Sequence, residues 1–250
     1  MRHARFIHQG RIREGIFEGD VLLDEQGSVV PIDGVTWLPP LVPRTVYGLA
    51  LNYADHAVEL NLEKPKEPVL FIKPNSSLIG HLSPIVYPAG VSYMHYEAEL
   101  AVIIGRAGRR IRPDRAMDHV LGYTIANDVT VRDFVGNLYR PPIRAKGFDT
   151  FGPIGPWWVD AADVADPHRL AIRTYVNGAV RQQGNTKDLI FRMDDIISFI
   201  SSFATLYPGD VILTGTPAGI SPVTPGDVIE IEIEGIGRLK NPVVAEGASS

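Results

Sequence analysis

Two glutamates stand two positions apart in His95-Tyr96-Glu97-Ala98-Glu99-Leu100-Ala101-Val102-Ile103-Ile104. On an extended chain that spacing puts both carboxylates on one face. The remainder of the segment is apolar on both faces: Ala101 and Ile103 continue the glutamate side, while Leu100, Val102 and Ile104 line the other. Such a strand is expected to be buried on both sides. Two carboxylates buried side by side repel and lose hydration, so they need a cation, and a hard divalent metal is the economical one. The opposing reading is an ordinary strand edge facing water. The same chain supplies a comparison for it in Val228-Ile229-Glu230-Ile231-Glu232-Ile233-Glu234, where acids alternate with apolar residues as on a half-exposed strand. Those three glutamates read as structural.

A third carboxylate would complete a metal site, and Asp128 is the candidate. Gly122-Tyr123-Thr124-Ile125-Ala126-Asn127-Asp128 runs an apolar strand into two carbonyl-bearing side chains at its end. The competing reading makes Asn127-Asp128 the cap of a helix starting near Thr130. Three carboxylates with water and a substrate suit octahedral Mg²⁺ or Mn²⁺. His56 and Glu59 are spaced i, i+3 on an expected short helix, so they can meet, and a glutamate-oriented histidine is a base or an activator of water. A pair on an exposed helix surface fits that spacing equally. Lys146, in Arg144-Ala145-Lys146-Gly147-Phe148-Asp149, is either a surface lysine or a charge that neutralises an enolate or carboxylate. Leu213-Thr214-Gly215-Thr216-Pro217 offers an anion the Gly215 N–H and hydroxyls, or is simply a turn; it is no phosphate loop, because no Gly-Lys-Ser/Thr comes after it. Arg132, Arg140 and Arg144 gather near Lys146, an arrangement that suits a small dianionic substrate.

The elements that must position these residues are mainly strands. Strands are expected over 45–51, 69–73, 96–104, 122–127, 170–176, 211–214 and 228–234, one short helix over 52–60 with Asn52 as its cap, and one amphipathic helix over 193–206. The first forty residues read as hairpins broken by Gly10, Gly19 and Gly27, and Pro39, Pro40 and Pro43 then mark a boundary. This divides the chain into a small N-terminal β region, 1–42, and a main domain, 43–250. Strands outnumber helices without regular alternation. A mixed α+β, mostly β fold is therefore expected, and a Rossmann fold or (β/α)8 barrel is not.

Composition narrows the functions further. The chain has 250 residues and a formal net charge of −5, so bulk charge argues against nucleic acid as partner. It contains no cysteine, which removes disulfides, thiolate nucleophiles and cysteine-held metals. No apolar stretch approaches the roughly 18–20 residues of a membrane span, and no apolar h-region succeeds the basic start Met1-Arg2-His3-Ala4-Arg5-Phe6. A soluble, cytoplasmic protein with no membrane partner is expected.

Taken together, the sequence resembles the fumarylacetoacetate hydrolase family. The motifs that carry the resemblance are Asn52-Tyr53-Ala54-Asp55-His56, Glu97-Ala98-Glu99-Leu100, Asn127-Asp128, Lys146-Gly147-Phe148-Asp149-Thr150-Phe151-Gly152-Pro153, Pro208-Gly209-Asp210-Val211-Ile212-Leu213-Thr214-Gly215-Thr216-Pro217 and Gly226-Asp227, in the family's order. The resemblance implies a mixed β-roll, a homodimer, and Mg²⁺ or Mn²⁺ on Glu97, Glu99 and Asp128. It implies that His56 with Glu59, on a mobile lid, moves protons or activates water, that Lys146 holds the enolate oxygen by charge, and that Gly215 and Thr216 bind the carboxylate. Arg132, Arg140 or Arg144 would read a distal carboxylate, and Asp149 falls in the same substrate-binding set. Met94 to Leu100, Leu138 to Lys146 and Val176 to Thr186 look most like the branch that isomerises 2-hydroxyhepta-2,4-diene-1,7-dioate and decarboxylates 5-oxopent-3-ene-1,2,5-tricarboxylate. Members of that branch are often two fused halves, and this chain resembles one, closest to the second. The substrate implied is a small anionic 2-oxo acid. Rival readings keep the site but make it an acylpyruvate carbon–carbon hydrolase or an oxaloacetate decarboxylase, or make it a non-catalytic carboxylate-binding protein with a structural cation.

Overall fold

The strand Ala98–Ile104 is buried at every residue, as its unbroken apolar run requires of a strand covered on both faces. It pairs antiparallel with Val120–Asn127 on one side and Val211–Leu213 on the other. The computed structural model describes residues 1–136 and 141–247, and places these strands near the middle of a 12-stranded mixed sheet. From Val211–Leu213 the sheet continues through Val46–Ala50 to Val69–Lys73 at its edge. From Val120–Asn127 it continues through Gly152–Asp160 into Arg2–His8, Arg11–Glu18, Val21–Asp24 and Val29–Pro31. These N-terminal strands enclose a small core of their own, Ala4, Phe6, Leu22, Val30 and Trp37.

A second sheet of five strands runs in the order Ala179–Asn185, Ala171–Val176, Val228–Ile233, Gly237–Ala245, Ile85–Tyr87. Its strand Val228–Ile233 alternates half-buried with buried residues. Ile229, Ile231 and Ile233 enter the core, while Glu230 and Glu232 meet Arg238 and Lys240 on the outer face. The contrast drawn from sequence therefore holds in space: alternating acids face water, and Glu97 and Glu99 are buried. The main core is closed by the helix Met193–Phe203, which turns Met193, Ile196, Ile197 and Ile200 into the same apolar cluster as Leu100, Val102, Ile172 and Ile231. Every strand expected beyond residue 44 forms, within two residues at either end. The helix stops at Phe203 and not at Leu206, because Ala204 takes an extended conformation, φ −122 and ψ 147. Among the described residues, no helix is long and apolar enough to cross a membrane.

One local expectation is corrected. The short helix is Ala54–Glu59, and Asn52 does not cap it. Its amide instead donates to the carbonyls of Thr214 (2.8 Å) and Phe191 (3.1 Å), and its oxygen accepts from the Phe191 N–H (2.8 Å). A cap satisfies neighbours in sequence, whereas this side chain joins distant segments around the helix that comes after it. Gly48 shows a similar constraint: a Cβ there would lie 2.1 Å from the Phe71 ring, so only glycine lets the edge strand carry that ring over the sheet. Asn52→Ala strands three backbone groups, one buried and two half-buried, and is expected to lower stability by roughly 2–4 kcal/mol. Urea denaturation checks this.

Candidate metal centre and active site

Glu97 lies one residue before the central strand, where Ala98 pairs with Asn127. The Asn127 side chain accepts the Glu97 N–H at 3.0 Å, and the Glu97 carbonyl accepts the Asp128 N–H at 2.9 Å. This clasp carries Asp128 against both glutamates. Carboxylate oxygens of Glu97, Glu99 and Asp128 lie within 4.8 Å of one another, all buried. The helix-cap reading of Asn127-Asp128 fails, because Thr130–Val131 is a strand paired with Met94–His95 and Asn127 serves Glu97.

Three cations surround the acids. Lys146, at the end of the short helix Ile143–Lys146, is buried and not a surface lysine. Its Nζ donates to Glu97 Oε2 (2.8 Å), to Thr130 Oγ1 (2.8 Å) and to Asp128 Oδ2. Arg132 donates from Nη2 to Glu97 Oε1 and from Nε to His95 Nδ1 at 3.3 Å. Lys73 ends the edge strand Val69–Lys73 with its side chain wholly buried, 2.8 Å from Asp128 Oδ1 and 2.6 Å from the Lys146 carbonyl. Burial pushes Glu97 up, but Lys146 and Arg132 outweigh it and hold this carboxyl below the usual range. Burial pulls Lys146 down, yet Asp128 and Glu97 outweigh it and keep the ammonium above its ordinary value. For Lys73 burial wins and the value falls.

Glu99 differs from its neighbours. Its Oε2 accepts the Gly215 N–H at 2.6 Å, and among the described residues no basic side chain forms an ion pair with it. Burial, with Asp128 and Glu97 alongside, raises its carboxyl well above the usual range. An all-oxygen donor set with one uncompensated carboxylate, and an ammonium already bridging the other two, fits a hard divalent ion such as Mg²⁺ or Mn²⁺.

His56 and Glu59 meet as the spacing predicts, Nδ1 2.9 Å from Oε2, but His56 is buried and so is no surface pair. The other Glu59 oxygen accepts the Gly219 N–H at 2.9 Å, which ties the short helix to the turn after Val211–Leu213. With Nδ1–H held by the carboxylate, Nε2 is the basic nitrogen. His56, Glu97, Arg132, Lys146 and Thr216 share one cleft, walled by Leu49, Leu60, Leu62, Leu70, Phe71 and Phe134.

The remaining sequence candidates separate. Asp149 is exposed and forms no part of the cleft wall, a correction whose cause is the turn that points it to solvent after Lys146. Gly215 gives its N–H to Glu99, so the anion it holds is the protein's own carboxylate, and Thr216 alone of this pair lines the cleft. Arg144 is exposed, its guanidinium 3.9 Å above the ring of Phe134 at the cleft wall. Arg140 lies outside the described residues. Sequence reasoning passed over Lys73, although a lysine closing the apolar run Val69-Leu70-Phe71-Ile72 is itself a signal of a buried charge needing a partner. Lys73→Met removes a partner from the buried Asp128 and is expected to cost roughly 3–5 kcal/mol. Arg238→Ala, at half-exposed ion pairs, should cost under about 1 kcal/mol in the same denaturation experiment.

A mostly β protein with a buried cluster of three carboxylates that could hold a cation, a lysine bridging two of them and a Glu-held histidine in the adjoining apolar cleft is the class these features define. The chain belongs to the fumarylacetoacetate hydrolase family: the family profile described as "Fumarylacetoacetate (FAA) hydrolase C-terminal" matches residues 45–244. The 4-hydroxyphenylacetate degradation bifunctional isomerase/decarboxylase of Salmonella dublin is 50% identical over 215 residues, covering 86% of this chain and 50% of that protein. The chain thus spans about half the length of that curated relative. The crystal structure of 5-carboxymethyl-2-hydroxymuconate delta-isomerase from Mycobacterium smegmatis superposes with a TM-score of 0.88 at 41% identity, covering 99% of this chain and 100% of that one. Maleylpyruvate hydrolase from Sphingobium sp. SYK-6, solved with manganese(II) and pyruvate, superposes with a TM-score of 0.83 at 32% identity, covering 98% and 99%. The expected β-roll of this family is the fold observed.

Proposed function

We propose that this chain is a divalent-metal-dependent isomerase/decarboxylase of unsaturated 2-oxo, or 2-hydroxydienoic, dicarboxylates in aromatic-compound degradation, acting as a homodimer. The observation that carries the reading is the buried trio Glu97, Glu99 and Asp128, whose Glu97 lines a cleft together with Lys146 and the Glu59-held His56. Support comes from the isomerase and decarboxylase activities named for the relatives above. Glu97, Glu99 and Asp128 would hold Mg²⁺ or Mn²⁺. What the ion supplies when bound is Lewis acidity toward the oxygens of a 2-oxo acid, which favours the enolate shared by isomerisation and decarboxylation.

The chain's own groups divide the remaining work. Isomerisation of the dienol removes the proton of the 2-hydroxyl and adds one at C5, leaving a 2-oxo-3-ene. His56 Nε2, set in its basic form by Glu59, is the group that takes up and returns the proton. Lys146, kept protonated by Asp128 and Glu97, acts as a fixed cation beside the developing enolate and not as a base. Arg132 and Thr216 face the carboxylate end, and the apolar wall from Leu49 to Phe134 takes the hydrocarbon chain. Arg144, stacked on the Phe134 ring of the cleft wall, would meet a distal carboxylate in this reading.

The direct test tracks the ultraviolet absorbance of 2-hydroxyhepta-2,4-diene-1,7-dioate with purified protein in Mg²⁺ and again after EDTA. Metal-dependent loss of the dienol signal without chain cleavage is expected. A metal-loaded sample that leaves the signal unchanged, while releasing pyruvate from an acylpyruvate, would overturn the reading. Glu99→Gln should weaken Mn²⁺ by more than about a hundredfold in calorimetry, the upper end seen for supporting residues alone. Because Glu99 must lose a proton to ligate, Mn²⁺ affinity of the parent should rise with pH. His56→Ala should leave Mn²⁺ binding intact and lower kcat by about 10²–10⁴.

A further inference from the structure

Gln182 belongs to the smaller sheet, on Ala179–Asn185, yet its side chain reaches the turn that borders the cleft. It is 1% exposed. Its Nε2 donates to the Pro217 carbonyl at 2.7 Å and to Thr216 Oγ1 at 2.8 Å. Its Oε1 accepts from the Thr174 hydroxyl at 2.9 Å and from the Ala98 N–H at 3.4 Å. The backbone partners determine which end is nitrogen, since a carbonyl only accepts and an amide N–H only donates. Thr216 Oγ1 therefore receives a hydrogen from Gln182.

A hydroxyl has a single proton to give. Among the described residues no protein acceptor takes the proton of Thr216, whose side chain borders the cleft beside His56 and Lys146. Two neighbouring donors of the turn are committed: the Thr214 hydroxyl to the Leu100 carbonyl at 2.9 Å and the Gly215 N–H to Glu99. The turn packs closely on Asn52 and requires glycine at 215, where φ is +95 and a Cβ would stand 2.8 Å from Asn52 Cβ. We infer that Gln182 is a positioning residue, which by donating to Thr216 Oγ1 aims the Thr216 hydroxyl as a donor at the carboxylate of the bound oxo acid. This rests on the reading of the cleft as a 2-oxo acid site. Through Ala98, which lies between Glu97 and Glu99, the same amide also ties the acidic strand to the turn that meets the substrate. Glutamate at this position would reverse the arrangement: a carboxylate only accepts, so the Thr216 proton would turn away from the cleft toward it.

The experiment uses Mn²⁺-loaded protein and oxalate, an unreactive planar mimic of a 2-oxo carboxylate, with binding read by calorimetry. Gln182→Glu and Thr216→Val should each weaken oxalate about tenfold, the size of one hydrogen bond to an ion. Neither should change Mn²⁺ affinity, and the double variant should bind no more weakly than either single one. Thr216→Ser, which keeps the hydroxyl, should restore binding. Gln182→Met removes the orienting donor without adding charge, and repeats the test if Gln182→Glu does not fold. Oxalate binding that survives the Gln182 variants unchanged overturns the inference, as does an equal loss from them in the Thr216→Val background. If the parent binds Mn²⁺ but no oxalate, the reading of the cleft falls and takes the inference with it.

Discussion

Carboxylates held out of water within 4.8 Å of one another repel each other strongly and forgo their hydration. Much of the structure around Glu97, Glu99 and Asp128 can be understood as the means of keeping them there. Asp128 receives two buried ammonium groups, Lys73 and Lys146, one on each oxygen. Glu97 receives Lys146 and Arg132. Among the described residues Glu99 has only the Gly215 N–H, and this asymmetry leaves the trio with room for a further cation.

The sheet serves that arrangement. Placing the acids at the end of a strand buried on both faces removes solvent, which strengthens every charge interaction in the cluster and raises the cost of leaving one unpaired. Lys73 arrives from the sheet edge, Lys146 from a one-turn helix and Arg132 from beyond a two-stranded ribbon, so no single element holds the site. The cleft repeats the division of labour. One end is ionic, the walls are apolar, and the His56–Glu59 pair is clasped over it by the Gly219 N–H.

Legibility in the chain depends on the range of the interaction involved. Glu97 and Glu99 were legible because the apolar run around them implies burial, and the alternating acids of 228–234 showed what an exposed strand looks like instead. The His56–Glu59 contact was legible because i, i+3 spacing is local geometry. Asn52 misled for the same reason: asparagine before a helix suggests a cap, and its real partners are Thr214 and Phe191. Lys73 and Gln182 are joined to the site by contacts 55 and 34 positions apart, which no local pattern records. Gly215 was placed in the right turn but its N–H serves Glu99, and Asp149 stands beside the site in sequence while facing solvent.

The central claim is that these three carboxylates form one divalent-cation site. Crystals grown with MnCl2 and measured at the manganese absorption edge test it most directly. The account predicts one strong anomalous peak within coordinating distance of oxygens from Glu97, Glu99 and Asp128 together. A cluster without a peak, in crystals where manganese is bound elsewhere, or a peak held by only one of the three, would contradict it.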